Sequence, residues 1–254
     1  MNIEGLELSI LGPAFIAGLL ILATHVPLGQ EVLKRGIIFI DLAIAQIAGL
    51  GVIAAYRFGW ETHGWQVQLT AISSALIAAL ILGWLEKHYQ KFQEALIGIT
   101  FVLASTASIL LLANDPHGGD SLKELLVGQI LWITWDQLLP LALVAGFILF
   151  IWFNLRQRLN HLGFYLLFAL AITSSVQLIG VYLVFASLII PALGSVGHRQ
   201  TLLAGYAIGG LGYGLGLLLS SLLDLPSGAI IVWAIAVIAL LFKFIKNNSR
   251  VTQH

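Results

Sequence analysis

Only one acid, Asp41, falls well inside a long apolar stretch of this 254-residue chain, and a glutamine, Gln46, follows it five positions later. A carboxylate set in apolar sequence is costly, and as a rule it faces a cavity, a partner group or an ion path. The chemistry open to the pair is that of a buried acid and a neutral amide facing a cavity or other polar groups. Five helical residues put the two side chains about 140° apart, so they do not share a face. The competing reading of Asp41 is a carboxylate bonded to hydroxyls of neighbouring helices. Gln177 and the hydroxyls around Ser174 are the other polar groups set in apolar sequence.

Sets of reactive groups are otherwise missing. The seven histidines read as single residues at helix ends or in loops, none paired at i, i+4. There are no cysteines, which excludes disulfides, thiolate metal sites and cysteine nucleophiles. The chain has no HExxH, no GxSxG and no GxxxxGK[ST] sequence, so no catalysis is expected of it alone and no ATP on a phosphate loop of its own. No cofactor is expected in this chain.

The elements that must position Asp41 follow from composition. Hydrophobic residues make up 59% and charged residues 9%, too few charges to cover a soluble surface. A helix crossing a bilayer needs about 20 apolar residues. Such runs occur at 8–28, 36–57, 66–85, 93–113, 137–154, 162–177, 179–195, 201–222 and 227–245. The expected fold is all-α, a polytopic transmembrane helix bundle of about eight or nine segments, and one transmembrane domain over 1–254. The stretch 114–136 opens polar and continues as LKELLVGQILWITWDQL, which reads as an interfacial or re-entrant piece. The N-terminus carries Glu4 and Glu7 and lacks the basic region of a cleavable signal peptide, so the first apolar run is expected to remain as a helix. A net charge of zero gives no argument for a nucleic-acid partner.

Charge also orients the chain, since cytoplasmic loops collect Lys and Arg. The polar cluster Thr173, Ser174, Ser175 and Gln177, followed by Gly180, suggests a turn inside 162–197. If that stretch crosses twice, Lys34, Arg35, Lys87, Lys91, Arg156, Arg158, Arg199, Lys243, Lys246 and Arg250 share one side, leaving only Arg57 and Lys123 opposite. A single crossing divides the basic residues evenly. The biased solution gives about nine crossings, an outside N-terminus and a cytoplasmic C-terminus; eight follow if 162–177 dips and returns. Small-residue spacings at Gly205/Gly209, Gly210/Gly214 and Gly212/Gly216 permit close helix approach, within the chain or at a subunit interface.

Five stretches in order resemble the membrane permeases of ABC importers for zinc, manganese and iron: KRGIIFIDLAIAQIAGLG (34–51), EALIGITFVLASTASILLL (94–112), LLVGQILWITWDQL (125–138), GVYLVFASLIIPALGS (180–195) and LDLPSGAIIV (223–232). The resemblance implies a permease subunit moving a divalent metal ion, zinc first, into the cytoplasm across the inner (plasma) membrane. It implies a homodimer, a separate ABC ATPase subunit that binds ATP, and an extracytoplasmic metal-binding protein. Asp41 and Gln46 are then candidates for the ion path, and Pro191, Gly194, Gly197, His198 and Arg199 for a loop that couples to the ATPase. Two departures stand out. Members of the family commonly carry His four residues after the Asp, where this chain has Ala45, and their Pro-Ala is followed by a Thr-Ala-Arg type ending, where this chain reads Leu193, Gly194 and Ser195. A secondary transporter or channel, and an ABC permease for a metal chelate, are the alternatives.

Overall fold

The computed structural model describes residues 8–60, 64–159 and 161–251, so the expectation drawn from Glu4 and Glu7 lies outside the described residues. Among those described, the chain is helical with no strand. Nine helices follow in order: α1 (Leu8–Arg35), α2 (Ile40–Arg57), α3 (Trp65–His88), α4 (Gln93–Leu112), α5 (Gly118–Val127), α6 (Trp135–Leu155), α7 (His161–Gly194), α8 (Thr201–Leu223) and α9 (Ser227–Val251). Eight are long and apolar enough to cross a membrane, and α5 is the exception. The expected pieces 162–177 and 179–195 are one helix assignment rather than two, because only Gly180 (φ 75°, ψ 164°) leaves helical geometry. That kink falls in the interval where the polar cluster suggests a turn. It divides α7 into arms of about 28 and 21 Å, 161–179 and 181–194.

The helices gather into two compact units. The first takes the described residues up to Gly36, Gln129–Leu149 and those from Tyr182 onward; the second takes Ile37–Gly128 and Phe150–Val181.

In the first unit α8 is the central strut. A Cβ on Gly205 or Gly209 would press on Val26 or Leu22 of α1, and one on Gly212 or Gly216 would press on the Ile235 or Ile231 backbone of α9. These glycines therefore serve packing within the chain. Helix α1 runs seven residues beyond its expected end at 28, through Pro27. Proline removes the bond to the carbonyl four residues back, and Tyr206 of α8 donates its hydroxyl to that Ala23 oxygen at 3.0 Å. The extension also moves His25 from a helix end to a fully buried interior position, correcting the sequence reading of the histidines. Between α8 and α9, Asp224 takes the left-handed conformation that ends α8, and Pro226 precedes the first turn of α9.

In the second unit α2 packs against α3 and α4. Gly51 accepts the close approach of Ser74 and the Thr70 carbonyl of α3, and Gly49 lies under the Leu125 side chain of α5. The amphipathic piece expected at 114–136 is thus α5 and a 3-10 turn at Ile130–Trp132, with α5 docked on α2. The first arm of α7 runs antiparallel to α3. Tyr165 bonds Glu86 near one end of α3, and Gln177 accepts from Gln68 near the other at 2.8 Å.

Candidate ion path and coupling loop

Asp41 is the second residue of α2, and its side chain is fully buried. A helix running on from Arg35 would carry Asp41 about 9 Å into the membrane. Gly36 instead takes φ 70° and the helix restarts at Ile40, so Asp41 sits in the first turn. A carboxylate there is favoured by the positive end of the helix dipole. Neither carboxylate oxygen of Asp41 has a hydrogen-bond partner, and the same holds for both amide atoms of Gln46 and the hydroxyl of Thr173. All three residues lie in the second unit and are 0, 0 and 1% exposed. Burying such groups unpaired costs several kcal/mol in an apolar medium, which marks them for a partner beyond this chain's own side chains.

The hydroxyl bonds that would make Asp41 a plain packing carboxylate are therefore absent among the described residues. Asp41 and Gln46 sit five positions apart on one helix and are not brought together in a chelate. No group of three or more His, Asp or Glu side chains among the described residues is arranged to hold a metal ion.

Three polar features escaped the sequence reading. Glu94, the first acid of α4, accepts the Ile38 N–H at 2.9 Å, three residues before Asp41, and its other oxygen is buried without a partner. Glu86 joins three elements: one of its oxygens meets the Tyr165 hydroxyl and the His161 Nε2, while Gln93 donates to Tyr165 at 3.2 Å. Thr173 read as part of a turn signal, yet it is a buried interior group. The only local signal for the two glutamates is an acid at the boundary of an apolar run.

The coupling-loop residues divide in two. Pro191 and Gly194 are buried in the last turn of α7, where a Cβ on Gly194 would lie 2.9 Å from Ala239. The helix continues three residues past Pro191, as far as Gly194. Gly197 (φ 81°) makes the bend, and Arg199 projects exposed. His198 is half-buried with its ring 6.2 Å from that of Phe242 and its Nε2 unpartnered.

The described residues form a polytopic helix bundle with a fully buried acid near the start of its second helix. The chain belongs to the ABC 3 transport family, whose model matches residues 7–164 and 154–247. It is 24% identical over 162 residues to an uncharacterized membrane protein of Synechocystis sp., covering 64% of this chain and 56% of that one. It is 25% identical over 128 residues to a Chlamydia trachomatis membrane protein assigned to a metal transport system, covering 48% and 42%. The chain thus spans about half the length of the curated relatives it matches. Its fold is similar to PsaBC from Streptococcus pneumoniae, solved in complex with Fab, with TM-score 0.72, 21% identity, and 92% and 89% of the two chains covered. It is also similar to an inward-facing structure of a transporter assigned to the metal-chelate ABC type, with TM-score 0.67, 16% identity, and 91% and 85% covered.

Proposed function

We propose that this chain is the membrane-spanning permease subunit of an ATP-driven importer that brings a divalent metal ion into the cytoplasm. The observation that carries the reading is Asp41, a fully buried acid with no side-chain partner, in a chain of the ABC 3 transport family. Zinc was the first expectation, with manganese or iron next. The buried groups Asp41, Gln46 and Thr173 are oxygen donors, which suit manganese at least as well as zinc. Without a preformed chelate the path holds the ion loosely, and a delivering protein outside selects it. A shallow site releases quickly, while the Asp41 carboxylates of two paired chains offset the ion's charge as it passes.

ATP is bound and hydrolysed on a separate ATPase subunit, which docks at the exposed Gly197 and Arg199 and the half-buried His198 between them. Arg199 offers a planar donor fork to an acidic groove. ATP-driven closure of two ATPases beneath a permease homodimer then shifts the population between outward- and inward-open states. This arrangement puts the protein in the plasma membrane with a cytoplasmic C-terminus.

The test is uptake of labelled zinc and manganese by vesicles carrying the chain with its ATPase. Uptake that requires ATP supports the reading, and ion flux equal with and without the ATPase would sink it. Arg199→Glu is expected to separate ATP hydrolysis from uptake while the protein remains inserted; coupling unchanged in that variant removes the docking role. The similarity to the metal-chelate type supports a second reading, in which the cargo is a complexed metal. Faster uptake of a chelate than of the free ion would favour it.

A further inference from the structure

Helices α2 and α4 pack together, and both lie in the second unit. Glu94, in the first turn of α4, accepts the Ile38 N–H at 2.9 Å, so the starts of the two helices are joined and they run parallel from that end. Neither start is capped by the side chain of its own N-cap residue, Phe39 or Phe92. Two helix N-termini side by side bring two positive dipole ends together, and the acids in their first turns, Asp41 and Glu94, offset them.

Glu94 also does something that charge alone does not require. Ahead of α2 the chain makes a turn in which the Ile40 N–H bonds the Ile37 carbonyl at 3.2 Å and the Ala43 N–H bonds the Phe39 carbonyl at 3.4 Å. The turn follows Gly36 (φ 70°), which has no Cβ to restrict the backbone there. Ile38 sits inside the turn, three residues before Asp41. In a capping box, a glutamate in a helix's own first turn reaches back to a free N–H at the helix start. In α2 that place, three residues past Phe39, is Leu42, and the carboxylate comes instead from α4, 56 positions from Ile38. Asp41 is left fully buried with no side-chain partner.

We propose that Glu94 is a positioning residue: by holding Ile38 it fixes the first turn of α2, and with it the direction in which Asp41 presents its carboxylate. A hydrogen bond to a charged acceptor is about twice as strong as a neutral one, which suits a tether on a turn that starts at glycine. The inference rests on the importer reading and deepens it, since a countercharge serves a passing cation only where its neighbours hold it in place.

Two variants separate the bond from the charge. Glu94→Gln keeps the reach and an acceptor oxygen but removes the charge; Glu94→Asp keeps the charge but is one methylene too short for the bond. Amide exchange over 37–43 is read by mass spectrometry on the purified chain in lipid nanodiscs. It is expected to speed up about tenfold in Glu94→Asp and to stay within about threefold of the parent in Glu94→Gln. Unchanged exchange in Glu94→Asp overturns the tether. Uptake of labelled zinc and manganese, measured with the ATPase, is expected to fall about tenfold in Glu94→Asp and to hold in Glu94→Gln. The reverse order overturns the proposal and makes Glu94 a countercharge. Because Glu94 acts through Asp41, Glu94→Asp is expected to cost little further uptake once Asp41→Asn is present. An equal fold-loss in both backgrounds also overturns it. Absence of ATP-dependent uptake in the parent would sink the importer reading, while the exchange result would still decide whether Glu94 holds the first turn of α2.

Discussion

Buried polar groups in the first unit are tied down: Ser187 shares a hydrogen bond with Tyr213 at 2.8 Å, Ser195 bonds the Ala192 carbonyl, and Tyr206 closes the gap left by Pro27. In the second unit Asp41, Gln46, Thr173 and one oxygen of Glu94 are buried with no partner. His198, at the edge of the proposed docking loop, is the first unit's exception. Satisfied groups make a scaffold, and unsatisfied ones are kept only where something other than stability is at stake. On the proposed function, the contrast divides the molecule into a part that carries load and a part that would carry cargo. It also predicts that mutations will separate: outside the proposed docking loop, changes in the first unit should be read in stability, and changes in the second in transport.

The largest expected effect is in the first unit. Gly212→Val would drive a Cβ to 2.8 Å from the Ile235 Cα, and backbone cannot rotate away as a side chain can. Forcing α8 from α9 costs about 3 kcal/mol or more, and the variant is expected to give little folded protein in detergent. Gly210→Ala is the companion, since its Cβ would meet only Leu19 at an ordinary 3.7 Å. It should fold as the parent does. Equal behaviour of the two variants in size-exclusion chromatography would break the packing side of the comparison.

Asp41→Asn comes next and should move the other readout. It removes a buried charge with no partner, so the unfolding temperature is expected to hold or rise. Uptake of labelled metal is expected to fall about tenfold or more, a change of roughly 1.4 kcal/mol in transport barrier. Full uptake in Asp41→Asn would return that residue to helix packing. A marked drop in unfolding temperature would instead show that Asp41 has a stabilising partner in the assembly.

A smaller effect belongs to Tyr206→Phe. The aromatic ring stays and the hydroxyl goes, leaving the Ala23 carbonyl unpaired beside Pro27. The cost is about 1 kcal/mol in unfolding, read as a modest fall in melting temperature with uptake unchanged. Uptake lost at constant stability would mean that the first unit also carries cargo.

What the sequence makes legible follows the range of the interaction. Apolar runs of about 20 residues locate the helices because the bilayer requires them, and the Thr173–Gln177 cluster locates the break of α7 because polar groups and glycine both weaken a helix there. Helix ends depend on distant partners. The apolar run stops at Leu28, and nothing local shows that the helix carries on through the polar residues to Arg35, so His25 reads as a helix end when it is interior. The same limit applies to the site. Asp41 stands out as the one interior acid, but its setting in the first turn depends on the φ of Gly36, and Glu94 reaches Ile38 across 56 positions. The spacing of Asp41 and Gln46 is local, and the sequence alone shows that they do not fall at i, i+4.

The finest test of the comparison is Gln46→Leu. Leucine nearly fills the glutamine's volume without an amide, so the change isolates the two polar atoms that have no partner. Replacing an unpaired buried polar group by an apolar one of similar shape is about neutral or stabilising. The unfolding temperature should therefore hold or rise by a little. Uptake should fall less than in Asp41→Asn, because an amide dipole offsets a passing cation far less than a carboxylate does. A drop of about 1–3 kcal/mol in stability would show that Gln46 is hydrogen-bonded in the assembly and belongs with the satisfied groups. Unchanged uptake with raised stability would narrow the ion path to Asp41 and the hydroxyl of Thr173, leaving the second unit a single charged waypoint.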